Sequence, residues 1–165
     1  MFNACRSKKL PWDDLKLVLP EVASLNRKAL EIGLNFHIHS CTDVTGFGIL
    51  GHSLEMAKGS HVQMDLFYDQ IPLYPNALQM YLKGQTTGSN EANRRLVEGL
   101  FKKIKPLSRA EEELLFDPQT SGGLLFSVPK SDAGSLVREL KNAGIGAASQ
   151  VGEVVATSQP CIRVL

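Results

Sequence analysis

One stretch, His39 to His52, limits what this chain can fold into more than any other part of it. It reads His-Ser-Cys-Thr-Asp-Val-Thr-Gly-Phe-Gly-Ile-Leu-Gly-His. The alternation of apolar residues before it predicts a strand that ends at Asp43, and the residues after Gly48 have the spacing of a helix. With Gly46 and Gly48 between the two patterns, the stretch predicts a strand that turns sharply into the first turn of a helix.

Such a corner is suited to a polyanion and a metal ion. The N–H groups of a first helical turn have no acceptor within the helix and donate readily to phosphate oxygens. A carboxylate at the strand end, here Asp43, can bind the divalent cation that accompanies the phosphate. The corner therefore predicts a phosphate and metal site at Asp43.

A dinucleotide site is one alternative interpretation of the same glycines. Gly46, Gly48 and Gly51 match the dinucleotide-binding fingerprint, and an acid stands about 20 residues further on, at Asp65 or Asp69. The chain, however, has one good strand–helix–strand unit where a dinucleotide fold has two. This interpretation predicts that NAD binds without any metal.

The other alternative is purely structural, and it also stays open. Gly46, Gly48 and Gly51 would then allow a helix to pack closely on a strand, while Asp43 caps the helix. Against the dinucleotide interpretation, a carboxylate three residues before the first glycine is not part of the fingerprint, since it would repel an unshielded pyrophosphate. Asp43 agrees better with a divalent cation between it and the phosphate.

A second unusual loop, Asp117-Pro-Gln-Thr-Ser-Gly-Gly123, opens directly into a predicted strand. It is not a Walker loop, because it lacks the Gly-Lys-Ser/Thr ending and does not lead into a helix. The hydroxyls of Thr120 and Ser121, beside two glycines, could form a backbone nest for an anion. A tight turn whose entry is fixed by Pro118 explains the same residues.

The rest of the chain predicts an α+β fold, a mixed sheet with helices packed on it and a hairpin at the end. Residues 1–19 have no clear period and are interpreted as a linker or short N-terminal segment, with the domain over residues 20–165. Asn90 is predicted to cap a helix, and Ser108 with Glu111 forms a capping box. The predicted helices cover 20–33, 49–59, 77–83, 90–98, 109–116 and 131–144; the predicted strands cover 35–43, 61–68, 124–128, 151–155 and 161–165.

The composition gives no support to several classes of function. Among 165 residues, 18 lysines and arginines balance 17 acids, for a net charge of +1, which gives no argument for nucleic acid or membrane binding. Cys5, Cys41 and Cys161 stand far apart and no long apolar run is present, so we expect reduced thiols, no membrane and a cytoplasmic protein.

Catalytic side chains are not evident from the sequence. Cys41 stands two residues before Asp43, whose charge disfavours a thiolate, and no Ser-His-Asp order is present. His37 and His39 share one face of a predicted strand and could bind a metal, but no third ligand is near, so a surface or hydrogen-bonded role is the alternative. The residues alone predict a domain that handles phosphate and metal without catalytic groups of its own.

Both loops resemble one family. Thr42–His52 and Asp117–Leu125, together with Leu25-Asn26-Arg27, are similar to signatures in the second lobe of the selenophosphate synthetases (selenide, water dikinases). That family belongs to an ATP-binding superfamily that also holds aminoimidazole ribonucleotide synthetase, whose C-terminal domain is the fold implied. The segment Gly84–Asn90, followed by Asn93, matches the family only approximately, so no site residue is taken from it.

The resemblance implies a reaction in which ATP, selenide and water give selenophosphate, orthophosphate and AMP with Mg²⁺. The parent would be a homodimer whose N-terminal lobe carries the reactive Cys or Sec, so the lone chain is expected to be inactive. Asp43 matches the magnesium ligand of this lobe. The residues expected to face nucleotide or phosphate are Thr45, Gly46, Gly48, Gln119, Thr120, Ser121, Gly122 and Gly123. A stand-alone nucleotide- or partner-binding module is the alternative.

Overall fold

The helices outnumber the strands, and most of them are short. The computed structural model describes all 165 residues. The helices are α1 (Phe2–Arg6), α2 (Trp12–Lys16), α3 (Leu19–Val22), α4 (Arg27–Gly33), α5 (Gly48–Ser60), α6 (Ala77–Leu82), α7 (Asn90–Leu96), α8 (Arg109–Leu115) and α9 (Lys130–Asn142). The strands are β1 (Ser40–Asp43), β2 (Val62–Leu66), β3 (Phe101–Lys103), β4 (Leu124–Ser127), β5 (Gly152–Ala156) and β6 (Cys161–Val164). The α+β class predicted from the sequence is confirmed.

The strands form two separate sheets. β1 pairs antiparallel with β4, so that Ser40 lies opposite Ser127 and Asp43 lies opposite Leu124. The other four strands form a mixed sheet in the order β3-β6-β2-β5, in which β6 runs parallel to both of its neighbours and β5 runs antiparallel to β2. The two sheets are not hydrogen-bonded into one, so the single sheet of the sequence prediction is in fact a ribbon and a sheet.

The predicted terminal hairpin is wrong, because β2 lies between β5 and β6. The reason is burial. Ile162 and Val164 of β6 are completely buried, and a strand that is covered on its apolar face is stabilised at the centre of a sheet. β5, whose Val154 is exposed, takes the edge instead.

The main core lies between α5 and one face of the larger sheet. Leu50 and Leu54 of α5 are buried against residues that include Leu66, Phe116 and Ile162. Each such side chain contributes about 1.5–3 kcal/mol on burial. The core therefore holds the first turn of α5, and with it the corner, against the sheet.

The helix predicted over residues 20–33 is wrong as a single element, because the chain breaks between α3 and α4. Leu25, which the pattern places on the buried stripe, is 80% exposed. The next residue, Asn26, instead directs its side-chain amide to the carbonyl of Gly122, at 2.9 Å. A tertiary hydrogen bond has thus replaced the regular helix that periodicity predicts.

Residues 1–19, interpreted from the sequence as a linker or short segment, contain α1, α2 and the start of α3. Ala4, Leu10, Leu15 and Val18 form a small cluster with Met80 of α6. Whether this segment is a separate unit from residues 20–165 stays a prediction.

Two local predictions have opposite outcomes. The capping box is confirmed: the Glu111 N–H donates to the Ser108 hydroxyl, and the Ser108 N–H donates to the Glu111 carboxylate. Asn90 as a cap is wrong, because it is the first residue of α7, after the N-cap Ser89, and its buried side-chain amide donates to the Glu113 carbonyl at 3.0 Å. β3, only three residues long, was not predicted at all.

Candidate functional site

The pairing of β1 with β4 brings the two glycine loops together. Beyond the ladder, the Val44 N–H donates to the Gly123 carbonyl at 2.9 Å, and the Gln119 N–H donates to the Thr45 carbonyl at 3.0 Å. Residues 43–48 are here called the corner, and residues 117–123 the facing loop. Two motifs that lie far apart in the sequence therefore form one surface.

Asp43 is exposed at the end of β1 and does not cap α5, which has no side-chain cap. The capping part of the structural alternative is thus wrong. Burial, and after it the charge of Asp43, raises the pKa of the Cys41 thiol, which agrees with an unreactive cysteine. No group of three or more His, Cys, Asp or Glu residues is placed to hold a metal ion. A cation at Asp43 would need further ligands from elsewhere.

Two of the three glycines are closely packed, but not between a helix and a strand, as the other part of the structural alternative had it. Gly48 has φ +67°, and a Cβ there would lie 3.0 Å from the Asp117 carbonyl oxygen. A Cβ on Gly51 would lie 2.5 Å from the Phe47 Cβ. By contrast, no atom lies within 4 Å of the position that a Cβ on Gly46 would take. Only Gly46 leaves open space for a ligand.

The first helical turn is therefore less accessible than the sequence suggests. Gly48 is buried, and its N–H already donates to the Thr45 carbonyl at 3.1 Å. An anion at this corner would meet the exposed backbone around Gly46 before it met the amide of Gly48. The phosphate-facing role of Gly48 stays a prediction that this geometry does not favour.

The facing loop also has one glycine in close packing and one in open space. A Cβ on Gly122 would collide with the Val44 carbonyl, whereas Gly123 has no atom within 4 Å of that position. Thr120 and Gly123 are exposed, and Ser121 is half-buried. The Gln119 amide donates inward, to the carbonyl and the carboxylate of Asp117 at 3.1 and 3.0 Å. Thr120, Ser121 and Gly123 are thus the members of this loop that remain open to a ligand.

Of the residues predicted to bind nucleotide, those of the facing loop line a groove and those of the corner do not. A groove of about 880 Å³ is lined by Gln119 to Gly123, by Asn26 and by apolar side chains of α9 such as Leu136. Asp43, Thr45, Gly46 and Gly48 are absent from its lining, although the neighbouring Val44 contributes to it. The facing loop borders the groove, and the corner lies outside it.

Two asparagines hold these loops, and the sequence analysis assigned neither of them to the site. Asn93, 5% exposed, donates from its side-chain amide to the carbonyls of Gly46 and Phe116, both at 2.9 Å. Asn26 holds Gly122 in the same manner from the other side. The signal for Asn26 was its place in the family signature; Asn93 lay in the segment that matched only approximately.

Beneath the facing loop lies a partly buried polar network. The Tyr81 hydroxyl donates to the Asp117 carboxylate at 2.5 Å, and the Asn90 amide donates to the Tyr81 oxygen at 3.2 Å. Burial raises the pKa of Asp117, against the lowering effect of the Tyr81 hydrogen bond. Burial, and after it the charge of Asp117, raises the pKa of Tyr81. These groups fix the start of the facing loop.

A further set of side chains lies behind the corner. The His52 Nε2 is 3.2 Å from the Thr45 hydroxyl, and the His52 Nδ1 is 3.0 Å from a Glu55 carboxylate oxygen. The Phe47 ring covers the imidazole, with 5.4 Å between ring centroids. This arrangement was not predicted from the sequence, in which no Ser-His-Asp order is present. The spacing of His52 and Glu55, one turn apart on a helix, was the available signal.

The comparison with protein families identifies the domain. Residues 7–164 match the family model described as AIR synthase related protein, C-terminal domain. This chain belongs to that family. The match covers the corner, the facing loop and both sheets, so the architecture from α2 to β6 is that of an AIR synthase related C-terminal domain.

Curated relatives of this domain support the narrower resemblance. A selenide, water dikinase of Treponema denticola is 36% identical over 99% of this chain, and one of Pelobacter propionicus is 41% identical over 90% of it. A third, from Agathobacter rectalis, is 39% identical over 93%. The similarity to selenide, water dikinases predicted from the sequence is confirmed. The chain spans only 47%, 42% and 44% of these three proteins.

None of the helices combines the length and the hydropathy that crossing a bilayer would require.

Proposed function

We propose that this chain is the C-terminal lobe of a selenide, water dikinase and that it presents Asp43 to Mg²⁺-ATP bound mainly by a companion lobe. The observation that carries the proposal is the position of Asp43: an exposed carboxylate at a strand end, three residues before the exposed backbone of Gly46. The relatives' names supply the kind of activity, a selenide, water dikinase, and the resemblance implies that ATP, selenide and water would give selenophosphate, orthophosphate and AMP.

The ligand chemistry agrees with a shared magnesium site. Mg²⁺ usually binds one or two carboxylates, keeps several waters and takes its other ligands from substrate phosphates. Asp43 supplies one carboxylate, and no cluster of three metal-binding side chains stands beside it. A lobe of this kind would bind the metal only when phosphates and a second set of carboxylates close over it. Mg²⁺ itself would offset charge on the transferring phosphoryl groups.

Around the metal, the proposed phosphate-facing groups are Thr45 and Gly46 of the corner and Thr120, Ser121 and Gly123 of the facing loop. These are the predicted residues with open or half-open surroundings. Gly48, Gly122 and Gln119 are assigned a supporting role, since each is in close contact with, or hydrogen-bonded to, other protein groups.

The proposal also includes the binding partners and the cellular compartment of the protein. The partners would be ATP and selenide through the full-length protein, the N-terminal lobe of the same enzyme, and a second copy in a homodimer. We place the enzyme in the cytoplasm, which agrees with three free cysteines.

The experiment compares the lone chain with the full-length enzyme. We expect the lone chain to bind Mg²⁺-ATP negligibly in a calorimetric titration and to form no AMP with selenide. In the full-length enzyme, Asp43→Asn should lower selenide-dependent AMP formation at least tenfold, since a metal ligand is lost. Asp13→Asn, an exposed acid on α2, is the matched control and should leave the rate unchanged.

Two outcomes would overturn the proposal. Tight binding of Mg²⁺-ATP by the lone chain, weakened by Asp43→Asn, would indicate a stand-alone nucleotide-binding module instead. Full activity of the Asp43→Asn enzyme would remove the carboxylate from the mechanism.

A further inference from the structure

His52 is a buried imidazole whose two ring nitrogens both face a polar group. The side chain is only 6% exposed, although it lies on α5 close to the corner. Nδ1 faces the Glu55 carboxylate at 3.0 Å, and Nε2 faces the Thr45 hydroxyl at 3.2 Å. A buried polar side chain with both nitrogens satisfied is held in one orientation.

The carboxylate decides where the proton of a neutral ring lies. An ionised glutamate can only accept hydrogen bonds, so Nδ1 must carry the proton that Glu55 receives. Nε2 is then the acceptor, and the Thr45 hydroxyl must donate to it. With its proton committed in this way, Thr45 offers an outside ligand only the lone pairs of its oxygen.

This order of groups selects the kind of ligand that Thr45 can contact. A phosphate oxygen is an acceptor and would need a hydrogen-bond donor. A water bound to a metal ion is a donor, and Mg²⁺ keeps several such waters. A hydroxyl that can only accept is therefore matched to a metal-bound water.

We propose that His52, held by Glu55, is a positioning residue that orients the Thr45 hydroxyl as an acceptor for a metal-bound water beside Asp43. The inference rests on the proposed function, because it takes Asp43 as the magnesium ligand. It refines that function, since Thr45 then contacts the hydration shell of the metal and not a phosphate oxygen. The backbone of Thr45 is fixed as well, because its carbonyl accepts from the N–H groups of Gly48 and Gln119.

The first test needs neither metal nor nucleotide. ¹⁵N NMR spectra of the imidazoles in the lone chain report the tautomer of His52, once a His52→Gln spectrum has assigned its signals. We expect a protonated Nδ1 and a bare Nε2 at a pH where the spectrum shows a neutral ring. In Glu55→Gln the preference for this tautomer should weaken. A neutral ring that carries its proton on Nε2 would overturn the proposal, independently of any activity measured for the full-length enzyme.

The second test uses two isosteres of histidine in the full-length enzyme. Glutamine places an amide near the position of Nε2 and can keep the bond to Thr45, whereas asparagine places it near Nδ1 and cannot. We expect His52→Asn to raise the Mg²⁺ concentration for half-maximal activity about tenfold, as is usual when a group that supports a metal site is lost, and His52→Gln to stay within about threefold of wild type. Equal loss in both variants, at equal folded stability, would contradict the proposal.

A double-mutant cycle separates positioning from folding. Thr45→Val removes the hydroxyl, and Thr45→Ser keeps it. If His52 acts through Thr45, His52→Asn should add nothing to Thr45→Val, whereas a merely structural histidine would give additive losses. If wild-type full-length enzyme showed no selenide-dependent turnover, the proposed function would fail while the tautomer measurement on the lone chain would still decide the orientation of Thr45.

Discussion

The corner and the facing loop follow the same plan, although their sequences have little in common. Each contains one glycine packed on the backbone of the other loop: Gly48 against the Asp117 carbonyl, and Gly122 against the Val44 carbonyl. Each also contains one glycine in open space, Gly46 and Gly123 respectively. The comparison shows that the packed glycines join the loops, while the open ones leave room for a ligand.

The strongest way to break this comparison is to place a methyl group between the loops. We expect Gly122→Ala to cost about 3 kcal/mol of the free energy of unfolding, at the upper end for an overpacked site, because the new Cβ collides with the Val44 carbonyl. Urea denaturation of both proteins measures the difference. Gly123→Ala is the matched control and should change stability by less than about 0.5 kcal/mol. Equal stability of the two variants would show that the packed and open glycines do not differ.

Removal of the amide that connects the loops should have the next largest effect. Asn93→Ala leaves the Gly46 and Phe116 carbonyls without their side-chain donor. We expect a loss of about 2 kcal/mol, because the carbonyl of the buried Phe116 is left without a partner. Hydrogen exchange should also rise at the amides of Val44 and Gln119, which join the loops. Unchanged exchange there would mean that Asn93 does not hold them.

A similar contrast exists inside the corner itself. Gly48→Ala forces a side chain into a left-handed conformation at φ +67° and should cost about 1–2 kcal/mol. Gly46→Ala should leave thermal stability nearly unchanged. In the full-length enzyme, however, the Gly46→Ala methyl group should raise the KM for ATP, if this open space holds phosphate. A KM equal to that of wild type would assign Gly46 no part in binding.

The smallest effect concerns the pH dependence of stability. Burial raises the folded-state pKa of Asp117, so its contribution is fully present below the unfolded pKa of about 3.9 and is lost as pH rises through the folded value. Asp65 has a folded pKa lowered by its hydrogen bonds from Arg163, so its contribution is present above that unfolded pKa and is lost on acidification. As the pH falls, the difference in melting temperature between variant and wild type should therefore change in opposite directions for the two substitutions. Asp117→Asn should become less stable relative to wild type, and Asp65→Asn more stable. If both differences changed in the same direction, the burial of Asp117 would be contradicted.

Much of the local structure was predictable from the sequence. Short-range rules were sufficient for α5, for β2 and for the Ser108 capping box, because periodicity and capping depend on neighbouring residues only. The family signatures also identified both loops. The exposed position of Asp43 agrees with its prediction as a ligand, whereas its binding of a metal stays a prediction.

The remainder depended on contacts between distant residues. Nothing in the spacing of Gly46 and Gly48 indicates which of them meets the facing loop, since that depends on the pairing of β1 with β4. The position of β6 inside its sheet and the break at Asn26 also depend on contacts between distant residues, so they could not be predicted from the spacing. Thr45, His52 and Glu55 are all present in the sequence, but the contact between Thr45 and His52 depends on how the corner packs on α5.

The ribbon of β1 and β4 is separate from the four-stranded sheet. Asp43 and Leu124 lie directly opposite each other on it, and Leu124 directly follows the facing loop, so we expect a backbone movement at Asp43 to be transmitted to that loop. A fluorescent label on the exposed Thr120 should therefore report ligand binding at Asp43 from a distance and, if the proposed companion lobe closes over the corner, that closure as well.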